Sequence, residues 1–177
     1  DVYQGFGLVH LGTAASANLR ELLPIDSCQD ARRFCFNGSL PLRTLWRLRA
    51  LCPVTCGCAS VQAGSFVANS PSFGCPAVCL AAFEKSLQQL GCADLAPHHA
   101  ALRAYIGGLS ERKGVFGNFS SCPDFQQPIT IDGTEFNFCT QSMELKKMGF
   151  QSAQLLCPES CGCKGLSGSQ CPQACTN

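Results

Sequence analysis

Leu51-Cys52-Pro53-Val54-Thr55-Cys56-Gly57-Cys58 is read a second time, with two changes, as Leu156-Cys157-Pro158-Glu159-Ser160-Cys161-Gly162-Cys163. The echo extends outward from these boxes. Cys75-Pro76-Ala77-Val78-Cys79 returns as Cys171-Pro172-Gln173-Ala174-Cys175, and each copy opens on Cys-x-Asp, at Cys28-Gln29-Asp30 and Cys122-Pro123-Asp124. Seven cysteines thus recur in order: Cys28, Cys35, Cys52, Cys56, Cys58, Cys75 and Cys79, then Cys122, Cys139, Cys157, Cys161, Cys163, Cys171 and Cys175. The boxes are 105 residues apart and the final pairs 96, so an insertion and a deletion separate the copies. Two matched blocks in one order are not a chance outcome, and the chain reads as an internal duplication.

Each copy spans little more than 50 residues, from 28 to 79 and from 122 to 175, too few to bury a comfortable core alone. Covalent staples fill that gap, each contributing about 2–4 kcal/mol by restricting the unfolded chain. All fourteen repeated cysteines are therefore expected to be structural disulfide partners. Spacing leaves their connectivity open, except that Cys56 and Cys58 are too close to bridge each other without strain. Seven per copy cannot all pair within a copy, so a bridge between copies or two spare thiols are expected. Cys92 lies outside both sets and makes the total of 15 odd; it is expected to be a free, buried thiol or a link to another chain.

Cysteine in this number points to an oxidising compartment, secreted or the lumen of an organelle. Asp1, not Met, opens the chain, which predicts a mature form with its targeting peptide removed or a form made without one. Thirteen basic against twelve acidic residues give a net charge of +1, too little field for nucleic-acid binding. A 46% hydrophobic content with 12 phenylalanines argues for a packed core, and no apolar run reaches the length of a membrane span. Asn37-Gly38-Ser39 and Asn118-Phe119-Ser120 fit the glycan acceptor pattern.

Four segments follow from this spacing: an N-terminal extension with a helix at 1–27, a first cysteine-rich repeat at 28–79, a helical connector at 80–121 and a second repeat at 122–177. Thr13 to Leu23 reads as a helix ended by Pro24. Ser39 is the expected cap of a helix carrying Leu42, Leu45, Leu48 and Leu51, whose Arg43, Arg47 and Arg49 read as a solvated face. Pro76 to Leu90, with the stripe Leu80, Phe83, Leu87 and Leu90 and Gly91 at its end, pairs with Pro97 to Leu109 as a helical hairpin. Gly107-Gly108 weakens the end of that second helix. Ile129 to Phe138 alternates around Asp132-Gly133, a hairpin signal. Thr140 or Ser142 then caps a short helix stopped at Gly149. The expected fold is small, disulfide-rich and mainly α with irregular loops: two stapled units joined by a helical connector.

The boxes resemble ShK-like toxin-type domains, which open on Cys-x-Asp and close on Cys-Pro-x-Thr-Cys-Gly-x-Cys. Cys28, Asp30, Cys35, Cys52, Pro53, Thr55, Cys56, Gly57 and Cys58 follow that outline, and Cys122, Asp124, Cys139, Cys157, Pro158, Ser160, Cys161, Gly162 and Cys163 follow it again. The resemblance implies that Asp30 and Asp124 are structural groups tying down the N-terminal loop of each unit. Both copies read Gly-Cys in place of Gly-x-Cys, lack one central cysteine and add a Cys-Pro-x-x-Cys box, so the family's pairing is not carried over. The Lys-Tyr pair of the channel-blocking members is absent. Tandem boxes of this kind are similar to those in dinoflagellate algal proteins, which implies a thylakoid-lumen setting and a photosystem accessory role.

Chemistry is sparse. Cys52 and Cys56 with Cys75 and Cys79 could supply four thiolates for zinc, but the overlapping Cys-x-Cys leaves surplus thiols, and no metal is expected. No Cys-x-x-Cys redox pair occurs. His98 and His99 point about 100° apart on a helix and cannot serve one site, and His10 stands alone. No catalytic residue and no cofactor is expected. The reading is a non-enzymatic, extracytosolic binding or structural subunit of a larger, membrane-associated protein assembly. Tyr3, Phe6, Phe116, Phe119 and Phe125, outside the helical stripes, are its candidate partner-binding residues. A toxin-like secreted ligand and a small secreted hydrolase are the alternatives.

Overall fold

Helix α1 (Cys28–Cys35) begins where a side chain and the backbone satisfy each other. The Asp30 amide donates to Ser27 Oγ at 3.2 Å, and the Ser27 amide and hydroxyl donate to the Asp30 carboxylate at 2.9 and 2.7 Å. The structure, a computed structural model, describes residues 23–112, 119–131, 133–164 and 171–175; most of the helix expected from Thr13 lies outside them. Helix α2 (Leu42–Leu51) packs against α1, and Cys28–Cys52 and Cys35–Cys56 tie the two together. Ser39 does not cap it. Pro41 holds the cap position at φ −56°, while the Ser39 amide donates to Asn37 Oδ1.

Helix α3 (Val78–Gln88) and helix α4 (Ala100–Ser110) form the connector. Instead of packing closely on each other as the expected hairpin would, each leans on the 3-10 turn Val61–Ala63. Gly91 is not the left-handed stop of α3, which closes at Gln89. The second half opens with the 3-10 turn Cys122–Gln126, whose Asp124 carboxylate accepts from the Ser120 and Ser121 amides at 2.7 and 2.9 Å. Strands β1 (Ile129–Ile131) and β2 (Thr134–Phe136) follow as the expected antiparallel hairpin, with Ile131 opposite Thr134 and Gly133 at φ 78°. Helix α5 (Ser142–Lys147) has Gln141 at its cap and ends before Gly149, at φ 90°.

The described residues include all fifteen cysteines, and fourteen of them form seven bridges. In the first half Cys28 joins Cys52, Cys35 joins Cys56 and Cys58 joins Cys75. The corresponding cysteines of the second half pair in the same order: Cys122–Cys157, Cys139–Cys161 and Cys163–Cys171. The seventh position differs, and two expectations are overturned there. Cys92 is not the spare thiol, because the connector brings it to Cys175 with 4.9 Å between Cα atoms. Cys79, expected in a bridge, is the free cysteine, buried against the Cys58–Cys75 pair. The connector supplies one extra thiol and it serves the second half, so Cys79 of the first half is left over.

The main core runs through both halves. It gathers Leu45 from α2, Phe66 and Val67, Tyr105 from α4, and Phe125, Phe138, Leu145 and Leu156. Main chain links the halves directly: Val67 bridges Phe150, the Ala68 amide donates to Gly149 O and the Gln151 amide to Phe66 O, each at 2.8 Å. Tyr105, fully buried, donates its hydroxyl to Gln151 O at 2.6 Å.

Candidate functional site

Helix α2 buries Leu45, Leu48 and Arg49 on one face, as the three- and four-residue spacing of a helix requires. The expectation that Arg49 is solvated is therefore wrong, whereas Arg43 and Arg47 are exposed. Arg49 Nη1 donates to Ala68 O at 2.9 Å and Phe73 O at 3.4 Å, and Nη2 donates to Asn69 Oδ1 at 3.4 Å. Asn69 is held in turn by its Nδ2 donating to Cys58 O at 2.7 Å. Nε has no acceptor. Burial pulls the guanidinium down to about 10.

Arg49 and Asn69 line a cavity of about 10 Å³ with Ser60, Ser65, Val67 and Phe83. Asn69, Phe83, Gln151 and Leu155 also belong to the wall of a surface groove of about 400 Å³. Helix α3 supplies Leu80, Phe83 and Leu87 to that groove, all half-buried, with Glu84 beside them and Lys146 of α5 on the facing wall. The expected stripe on α3 thus exists, but only Leu90 of its four members is fully covered. The arrangement suits apolar side chains entering between two opposite charges.

Two of the phenylalanines singled out for partner binding, Phe119 and Phe125, are core residues instead. Phe125 is fully buried and Phe119 nearly so, their rings stacked at 4.4 Å between centroids and joined by Tyr105 and Phe138. The second half has a short chain and few long helices, so loop aromatics fill its interior. Tyr3, Phe6 and Phe116 lie outside the described residues.

His99 accepts the Ala101 amide on Nδ1 at 3.2 Å and caps α4, and His98 is exposed. Bridging removes Cys52, Cys56 and Cys75 from the four-thiolate set, leaving Cys79 as its single thiol, which burial makes a weaker acid. Among the described residues no group of three or more His, Cys, Asp or Glu side chains could hold a metal ion, and no helix is long and apolar enough to cross a membrane.

One sequence signal for Arg49 was available: it follows Leu42 and Leu45 by seven and four residues, where the stripe calls for an apolar side chain. The groove had no such signal, because its far wall comes from α5 and the turn Ala153–Leu155. In comparison with known proteins, the chain matches no family model, no curated protein and no solved structure.

Proposed function

We propose that the chain is a non-enzymatic, disulfide-stapled binding subunit that works in an oxidising, extracytosolic compartment and docks on a larger protein assembly through the groove beside α3. The observation that carries the compartment is the commitment of fourteen of fifteen cysteines to seven bridges, a pattern that reducing cytoplasm does not sustain. The half-buried Leu80, Phe83 and Leu87 support the docking role, since a rigid apolar wall loses little entropy on binding. Two copies of one stapled module, each with its three bridges in the same order, account for the architecture. The resemblance of the paired boxes to dinoflagellate algal proteins supports the finer reading, a photosystem accessory subunit of the thylakoid lumen.

A photo-cross-linking residue placed at Leu87 tests the docking face, with the same residue at exposed Arg43 as control. In an extract of the native compartment, Leu87 is expected to give one dominant polypeptide adduct that excess unmodified protein suppresses and a Phe83→Glu competitor does not. Equal labelling from both positions, or suppression by either competitor alike, overturns the groove as the docking face.

A further inference from the structure

The Cys-Pro turn of each half is built in the same way. Cys56, Gly57 and Cys58 donate their amides to Cys52 O, Val54 O and Pro53 O at 2.9, 3.1 and 2.8 Å. Cys161, Gly162 and Cys163 donate theirs to Cys157 O, Glu159 O and Pro158 O at 2.9, 3.0 and 2.8 Å. Both glycines stand in the left-handed region, Gly57 at φ 80° and Gly162 at φ 68°. The two turns differ in what they hold. In the second half the connector lays Asp94-Leu95 across the turn. Asp94 Oδ1 accepts the Glu159 and Ser160 amides at 2.8 and 2.9 Å, and Oδ2 accepts the Ser160 hydroxyl. The Leu95 amide donates to Leu156 O at 2.9 Å, and its side chain packs on the main core. Successive amides that converge with a hydroxyl on one acceptor form an anion nest, and bonds to a charged acceptor are roughly twice as strong as neutral ones.

The matching groups of the first half are the Val54 and Thr55 amides, the Thr55 hydroxyl and Leu51 O. Among the described residues no acceptor engages those three donors, and no backbone amide donates to Leu51 O. Leu51 O keeps only the approach of Cys28 Sγ at 3.8 Å, which Leu156 O also has from Cys122 Sγ. Val54 stands where the second half has Glu159, and at 53% exposure it is one of two large apolar side chains left open among the described residues. We propose that this edge, Leu51 to Thr55, receives an extended segment of a partner protein in which an aspartate is followed by a bulky aliphatic residue. The incoming carboxylate accepts from the Val54 and Thr55 amides and the Thr55 hydroxyl, and the amide of the next residue donates to Leu51 O, as Asp94 and Leu95 do in the second half. Val54 favours an outside ligand: it offers an acid no repulsion, where Glu159 would, and leaves apolar surface for a partner to cover. None of these residues lines the groove beside α3, so the site stands apart from the docking face proposed there.

The test is an NMR titration of the intact, oxidised, isotope-labelled protein with the capped peptide Ala-Asp-Leu-Ala, the sequence of residues 93–96. The Val54 and Thr55 amide signals are expected to move and to saturate with a Kd of about 1–10 mM. The Glu159 and Ser160 amides, already held by Asp94, are expected to stay in place. The peptide Ala-Asn-Leu-Ala is expected to bind at least about tenfold more weakly, because it lacks the charge. Thr55→Val, which removes the hydroxyl and keeps the shape, is expected to weaken the aspartate peptide by roughly three- to tenfold. Asp1-Val2 and Glu21-Leu22 of this chain also set an acid before an aliphatic residue. Binding that appears only in the Asp1→Asn, Glu21→Gln protein would give the site to the chain's own segment and overturn the partner. Unmoved Val54 and Thr55 signals at about 20 mM peptide, equal binding of the two peptides, or an affinity untouched by Thr55→Val each overturns the site itself.

Discussion

Single residues set tight limits in this molecule, and Gly108 is one of them. A Cβ there would stand 2.2 Å from Phe66 Cδ1 and 3.0 Å from Phe36 O, so α4 can approach the first half only because that position has no side chain. Its neighbour Gly107 has open space around the same site. Gly108→Ala is therefore expected to lose about 1–3 kcal/mol to overpacking, whereas Gly107→Ala is expected to gain up to about 1 kcal/mol from helix propensity. Urea unfolding of the two variants checks the opposite signs; a loss of similar size in both would mean that packing against Phe66 is not the cause. The composition of the pair reads as a weak helix end, because identical letters carry no record of which one faces a ring. Cys79 makes the same point in chemical terms. Burial raises its pKa, so the reactive thiolate is scarcer than for an exposed cysteine at the same pH. Iodoacetamide at pH 8 is expected to leave the native protein unlabelled and to add one group after denaturation without reductant. Intact mass reads the result, and two or more groups would contradict the pairing.

Elements are where the sequence was most legible, and where it failed the reason is specific. The hairpin at Ile129–Phe136 follows from alternation plus Asp132-Gly133, because local backbone preference alone sets a two-residue turn. The α3–α4 hairpin failed because amphipathic stripes say that a face is buried and not against what; Val61–Ala63 lies between them. Asp30 and Asp124, read as structural through the resemblance, do hold the starts of their units. Ser27 donates its hydroxyl and amide to Asp30, and the Ser120 amide and hydroxyl lead the bonds to Asp124; each set holds its carboxyl below the ordinary aspartate range. A folded-state pKa below the unfolded one means that the unfolded chain binds protons more readily. The stabilisation is thus complete above about pH 4, the unfolded value, and is lost as pH falls through the lower folded values. Tm is expected to drop on acidification from pH 5 to pH 3, and the Asp30→Asn, Asp124→Asn double variant to drop less over that interval. Parallel curves for the two proteins would show that these carboxyls do not govern acid stability.

At the scale of the whole molecule, disulfides of very different reach share the task of holding it. The recurring boxes made the number of cysteines in each half legible, but pairing depends on which Cα atoms the fold brings within about 5–6 Å, and spacing does not carry that. Cys92 is the instructive case: beside Gly91 it looks like a bystander, yet it closes the longest loop, 83 residues to Cys175, while Cys163–Cys171 closes only 8. If a bridge acts mainly by restricting the unfolded chain, its contribution grows with the logarithm of the loop. That treatment gives about 4–5 kcal/mol for Cys92–Cys175 and about 2–3 kcal/mol for Cys163–Cys171. The longer bridge also joins the connector to the last turn, Gln173–Cys175, where α3 packs, so its removal frees the end of the chain from the groove wall. Urea unfolding of Cys92→Ala, Cys175→Ala and of Cys163→Ala, Cys171→Ala, each purified in oxidised form, is expected to show the larger fall in midpoint for the first pair. Equal falls, or the reverse order, would mean that local packing around each bridge outweighs loop closure, and the second half would then owe its stability to the Phe119–Phe125–Phe138 cluster and not to its covalent link with the connector.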